Sequence, residues 1–333
     1  MASRSSRFTT TKTKSKEIRA LPILNGDVSV YANPVDTYLS GKSEATKRMV
    51  KSHMNKVAIL FDYENYEHAP WSSIRYEHLQ MLIGVLQQQK HAHTTINAII
   101  SAVRGTVKAA MGMKLITADD YQRVMLVKMV SGVRLPTGRM MNQGEIKALV
   151  DACLNATSKQ SPAGYRDLAI FGLMYIGGLR RSEVADLNFE DINLEEKEAK
   201  IIGKGNKERM MFLDDGTVTA IKYWLALRGG HDGALFYRVL KNGKIQAGRL
   251  SDQTIYNVVK KRQKEADITD ISPHDFRKTF ISTILEETGD LRMAQALAGH
   301  SDPKTTANYD RREIKEMRKA AESLHFPLEN IKV

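Results

Sequence analysis

The sequence predicts a mainly α protein in two parts: an N-terminal four-helix domain, then a mostly helical domain with a small antiparallel β-sheet. Three observations carry this. At 333 residues the chain is long for one core and suits two domains of ~100–200 residues each. Apolar side chains recur at helical spacing through most of its length. The β-rich runs bounded by Gly and Asn stand in the second half.

Residues 1–32 are rich in Ser, Thr and Lys. With few apolar groups to offset the entropy of ordering, they read as a flexible basic arm. Asn33-Pro34 is a helix start. Three longer helical patterns follow, with Val50, Met54, Val57 and Phe61 on one stripe of 43–63, Leu79, Leu82, Ile83 and Leu86 in 72–89, and Ile96, Ile100, Val103, Val107 and Met111 in 94–113. Thr117 or Asp119 caps a fourth helix through Met129, which completes a bundle over 33–130. Its basic residues Lys47, Arg48, Lys51, Arg104 and Lys108 fall on outward positions.

Residues 131–141 contain SGVRLPTGR, which combines Gly, Pro and positive charge without periodicity and reads as a linker, short enough to let two domains close around a rod-shaped partner. The second domain, 142–322, opens with helical patterns at Gln143–Ala156 and Ala163–Ile176. Next, AKIIGKGNKERMMFL makes a hairpin with Lys204 in its turn, and ALFYRVLKNGKI a second one turning at Asn242-Gly243. Helices then continue to about Ser323, ahead of a tail at 323–333.

Composition narrows the function. Apolar content of 42% with 26% charged residues is that of a soluble globular chain, and LAIFGLMYIGGL, its longest apolar run, is too short to span a membrane. Fifty Lys plus Arg against 38 Asp plus Glu leave a charge of +12, which points to a polyanion, nucleic acid first. Cys153 stands alone in an apolar helical setting, so no intramolecular disulfide forms. The N-terminus lacks the apolar stretch of a signal peptide, so a cytoplasmic or nucleoid-associated protein is expected. His91 and His93 have no cysteine or carboxylate partner nearby and read as a solvated loop. No metal and no cofactor are expected.

Four stretches carry chemistry. GLRRSEVADL places Arg180 after an apolar helix that Gly177 and Gly178 open to close approach. SPHDFRKT has Ser272 as N-cap, Pro273 at the first helical position and Asp275 near the third, with His274 and Arg277 three apart on one face. The Lys204 hairpin is the third, and LAGHSDPKTTANYDRR, with His300 and Tyr309, the fourth. Two arginines, a lysine, two histidines and a tyrosine suit phosphoryl transfer. The guanidinium groups of Arg180 and Arg277 hold the non-bridging oxygens of a five-coordinate phosphorus. Lys204 on its hairpin protonates a departing sugar oxygen. Tyr309, ordinarily a poor nucleophile, attacks once a base and nearby cations make its phenolate accessible, and forms a phosphotyrosine.

These boxes resemble the tyrosine recombinases, the phage-integrase-type site-specific recombinases. GLRRSE is similar to the family's first arginine box, GKGNKER to its hairpin lysine segment, HDFRKTF to its His-x-x-Arg box, and LAGHSDPKTTANYDR to its closing segment. All four occur in the family's order over Gln143 to about Glu322, whereas the bundle before them resembles the family's core-binding domain only in size and helix content. The resemblance implies that the second domain has the catalytic fold shared with type IB topoisomerases. It also implies that Arg180, Arg277 and His300 bind the scissile phosphate, that Lys204 is the acid for the 5′ hydroxyl, that His274 assists proton transfer at Tyr309, and that Tyr309 is left in a 3′-phosphotyrosyl link. Glu183 then supports the site structurally.

The implied partners are double-stranded DNA with inverted-repeat core sites, a homotetramer on two such sites that exchanges strands through a Holliday junction, and directionality or accessory proteins. The stripe Ile314, Met317, Ala321 and Leu324 is then a candidate for docking on a neighbouring subunit. Only some thirty residues precede the bundle, so a two-domain recombinase of a mobile element, a phage or a dimer-resolution system is expected. The alternatives are a type IB topoisomerase or telomere resolvase acting on one duplex, and a site-specific DNA-binding protein without cleavage. Whether Tyr309 serves its own subunit or a neighbour stays open at this point.

Overall fold

The computed structural model describes residues 33–132, 138–158, 161–203, 205–300, 302–307 and 309–310. The expected arm, Lys204, and the stripe and tail beyond 310 lie outside the described residues. The chain divides into two compact units, Met1–Val133 and Arg134–Val333.

The first unit is helical throughout its described elements: α1 (Pro34–Leu39), α2 (Glu44–Leu60), α3 (Tyr76–Gln88), α4 (His93–Gly112) and α5 (Ala118–Met125). Each start has a local cause. The Asn33 side chain accepts from the Val35 N–H ahead of α1, Ser43 caps α2 through Thr46, and Thr117 caps α5 through Asp120. The apolar stripes of α2, α3 and α4 interlock, with Met54, Leu79, Leu86, Ile100, Val103 and Val107 sealed from solvent. Burial of each such side chain is worth ~1.5–3 kcal/mol. Three expectations need correction. Met111, at the C-terminal end of its stripe, is 38% exposed. Phe61 is the C-cap of α2 and only half-buried. Arg104 does not face outward, because its Nη2 donates to the carbonyls of Met125 (2.9 Å) and Val127, satisfying backbone oxygens that the end of α5 leaves open. His91 takes part in a 2.5 Å hydrogen bond with Lys56 Nζ, and His93 is the first residue of α4.

The second unit runs α6 (Gln143–Ser158), α7 (Pro162–Ile176), α8 (Arg181–Asp186), β1 (Ile192–Asn193), β2 (Glu198–Gly203), β3 (Lys207–Phe212), α9 (Asp215–Arg228), β4 (Tyr237–Val239), β5 (Ile245–Arg249), α10 (Asp252–Glu265), α11 (Pro273–Thr288), α12 (Leu291–Ala298) and α13 (Pro303–Ala307). Both expected hairpins form. β2 pairs with β3 from Glu198↔Phe212 to Gly203↔Lys207, and β4 with β5 across Gly243, whose φ is +81°. The two-residue strand β1 adds a third member to the first sheet, and α9, capped by Asp214, fills a stretch to which no element was assigned. Leu173, Met174, Ile201, Ile221, Trp224 and Phe276 make the core. Cys153 is buried in α6.

Residues 138–141 are laced to α11. Asp275 accepts from the Arg139 N–H (2.8 Å), Lys278 Nζ donates to the Gly138 carbonyl (2.7 Å), and the Met141 N–H donates to Thr279 Oγ1 (2.9 Å). Among the described residues no helix is long and apolar enough to cross a membrane, and no group of three or more His, Cys, Asp or Glu could hold a metal ion.

Candidate active site

Four elements bring the site together. α7 ends at Gly177, and the chain turns through Gly178 at φ +55° so that Arg180 can cap α8. The glycines serve packing rather than a phosphate: a Cβ on Gly177 would lie 2.2 Å from Met211 Sδ, and one on Gly178 2.4 Å from Phe280 Cδ1. Gly178 also offers its carbonyl to Arg277 Nη1 at 2.6 Å.

α11 starts as its sequence dictates. The Asp275 carboxylate accepts from both the N–H and the hydroxyl of Ser272, at 2.8 and 2.7 Å, and Pro273 takes the first turn. One turn on, Arg277 is 2% exposed, and its guanidinium bridges the carbonyls of Gly178 and Ala298. Burial and then the neighbouring Arg180 charge bring its pKa down to about 10. It therefore stays a cation at neutral pH, oriented before any ligand arrives.

α12 stops at Gly299 (φ +63°). This left-handed cap sends His300 back into the site, where its N–H donates to the Gln295 carbonyl at 3.1 Å. His300 is 8% exposed and shares a 2.8 Å hydrogen bond between Nδ1 and Thr306 Oγ1. With the Thr306 hydroxyl donating, Nε2 carries the ring proton and can face an anion. Burial first, then Arg277 and Arg180, push its pKa down to about 4, so the ring is neutral.

α13 starts at Pro303 and delivers Tyr309, which is 9% exposed. Ser282 Oγ donates to the Tyr309 carbonyl at 3.1 Å, and the phenol ring stacks on His300 with centroids 5.9 Å apart and planes at 21°. The phenol oxygen lies 2.9 Å from His274 Nε2 of the same chain. Burial raises the pKa of Tyr309, opposed by Arg277 and Arg180. That of His274 is lowered, by partial desolvation and then by Arg277, although the ring as a whole remains exposed. A protonated phenol thus meets a neutral imidazole, the pairing that proton abstraction requires. Beside them a cleft of about 250 Å³ is lined by Arg180, Arg181, Tyr256, His274 and Arg277.

The structure thus gathers Arg180, His274, Arg277, His300 and Tyr309, while Lys204 lies outside the described residues. Arg181 stays on the surface, paired with Asp252 at 3.2 Å. Two contributors escaped the sequence reading. Thr306 holds His300 and is fully buried. Arg209, in β3, binds Glu183 (2.8 Å), the same carboxylate that holds Arg180 (2.6 Å). Its inward direction was legible from strand alternation with buried Met211.

Comparison with known proteins gives the family of the chain. Residues 139–316 match the Phage integrase family. Tyrosine recombinase XerC of Alcanivorax borkumensis is 30% identical over 262 residues, 77% of this chain and 81% of that protein. XerC of Actinobacillus pleuropneumoniae is 34% identical over 254 residues, 73% and 81% of the two chains. A solved structure of a lambda integrase dimer bound to a COC′ core site shares the fold, with a TM-score of 0.59 at 15% identity over 90% of this chain and 97% of that one. Family match, relatives and fold agree, and the chain belongs to the phage integrase family as a tyrosine-type site-specific recombinase.

Proposed function

We propose that the chain cuts and rejoins duplex DNA at specific sites through a covalent tyrosyl intermediate, with the roles divided as follows. Arg180, Arg277 and the Nε2–H of His300 hold the non-bridging oxygens of the scissile phosphate and stabilise the extra charge of the five-coordinate state. Tyr309 Oη gives its proton to His274 Nε2 and bonds to phosphorus. The P–O5′ bond breaks, and Lys204 supplies the proton that the leaving oxygen needs. Reversal by a different 5′ hydroxyl rejoins the strand, and because the phosphotyrosyl bond conserves the energy of the phosphodiester, no nucleotide is consumed.

The observation that carries this is the 2.9 Å contact between Tyr309 Oη and His274 Nε2 within one chain, next to two arginines. It favours attack by each subunit's own tyrosine. Strand exchange takes four such subunits on two DNA sites, passes through a Holliday junction and is steered by accessory proteins. Incubating the protein with a nicked target site, followed by denaturing electrophoresis, tests the assignment. Wild type is expected to give a protein–DNA adduct and Tyr309→Phe none, whereas an adduct in Tyr309→Phe overturns it.

A further inference from the structure

The Arg180 box and strand β3 meet at one buried carboxylate. The Glu183 side chain is 3% exposed and its oxygens are divided between two arginines. Oε1 accepts from Arg180 Nη1 at 2.6 Å and from Arg209 Nη1 at 3.3 Å. Oε2 accepts from Arg209 Nη2 at 2.8 Å and from the Arg180 backbone N–H at 3.0 Å. Arg209 is 10% exposed, and its stem lies against the cap before His300, where a Cβ on Gly299 would be 3.0 Å from Arg209 Cδ. Burial alone would raise the pKa of Glu183, but Arg209 and then Arg180 bring it below the usual carboxylate range, so it is a full anion.

A carboxylate held by one arginine closes on it with both oxygens, in the paired geometry that guanidinium and carboxylate prefer. Here Arg180 makes a single side-chain bond, to Oε1, while the fork of Arg209 spans both oxygens and the Arg180 backbone N–H shares Oε2. We propose that Arg209 is a positioning residue for strand cleavage: by engaging Glu183 it keeps Arg180 from being captured by the carboxylate and leaves its guanidinium directed at the scissile phosphate. This rests on the reading of Arg180 as a phosphate ligand.

Single-turnover cleavage of a nicked site by the full chain tests it, with either a phosphodiester or a methylphosphonate at the cut, the latter lacking one non-bridging charge. R209Q is expected to slow phosphodiester cleavage by about 30-fold or more, in the range of a lost oxyanion ligand. On the methylphosphonate, where Arg180 has less charge to hold, the slowing is expected to shrink to about threefold. R209K keeps the charge but not the fork and is expected to stay as slow as R209Q. Equal slowing on both substrates, or wild-type rates in R209Q or R209K, overturns the proposal. Should R209Q unfold, R209M in an E183A background carries the test. There Arg180 is already free of the carboxylate, so adding R209M is expected to change the rate by less than about twofold, and a larger loss overturns the proposal. An adduct in Tyr309→Phe would instead remove the site assignment, while a normal Tyr309→Phe result beside fast R209Q cleavage removes only the role of Arg209.

Discussion

In the proposed mechanism His274 and Tyr309 share one proton transfer, and the pH dependence follows from the sign of their shifts. A histidine with a lowered pKa stays unprotonated further into acid, so His274 remains able to accept the phenol proton below its ordinary 6.5. The acid limb of the second-order cleavage rate, which reports the free enzyme, is therefore expected to have its midpoint below 6.5; a stopped-time adduct assay across pH measures it, and a midpoint above that value contradicts the assignment. His300 contributes to stability in the same sense. Folded, it titrates at about 4 against 6.5 in the open chain. Between those values the unfolded state binds more protons, so the stability tied to neutral His300 is complete above about 6.5 and lost as pH falls towards about 4. H300Q is expected to flatten urea-measured stability across that window, an effect of at most about 3 kcal/mol.

At the scale of elements, chain reversals seat the site more than the helices do. Gly178 combines a φ of +55° with a Cβ direction occupied by Phe280, and its carbonyl anchors Arg277. Gly178→Ala is expected to cost about 2–4 kcal/mol in denaturant unfolding, from left-handed strain plus overpacking, and to lower cleavage in the protein that remains folded. Much of this level was legible. Thr117, Ser272-Pro273-Asp275 and Asn242-Gly243 are local signals whose hydrogen bonds or fixed dihedrals need nothing from the rest of the fold. What was not legible depends on tertiary context. α9 buries Val218, Ile221 and Trp224 yet exposes Tyr223 and Leu227, so its apolar residues show no single stripe. β1 is two residues long, too short for alternation to register. Arg104 looks like a surface cation until the end of α5 supplies carbonyls for it, and Arg209, though alternation turns it inward, has no evident partner until Glu183, 26 positions earlier, is placed beneath it. The candidate site was readable for the same reason as the caps. Each box carries its own geometry, and the Thr306 to His300 contact closes within the fourth box, while Arg209 to Glu183 joins segments whose meeting no single stretch announces.

At the scale of the whole molecule the excess of cations sets how tightly, and under what salt, the chain holds DNA. The +12 charge is not spread evenly over free groups. In the first unit Lys47 pairs with Glu44 at 2.8 Å and Lys51 lies 3.5 Å from Asp36, whereas Arg48 and Lys108 are exposed. In the second, Arg277 is engaged by the carbonyls of Gly178 and Ala298, and Arg262 by Asp167 inside the core, at 2.7 Å. Binding through about six phosphate contacts releases the counterions condensed on them, which gives a slope near −5 for log affinity against log salt. Raising salt from about 0.1 to about 0.3 M should then weaken binding by a few hundredfold, measurable by fluorescence anisotropy on a labelled duplex. If Arg48 touches a phosphate, R48Q lowers the slope by about one while weakening target and unrelated duplexes alike, because a phosphate contact carries no sequence information. A slope near zero would mean that the excess charge serves something other than DNA, and an R48Q loss confined to the target duplex would place Arg48 against a base edge instead.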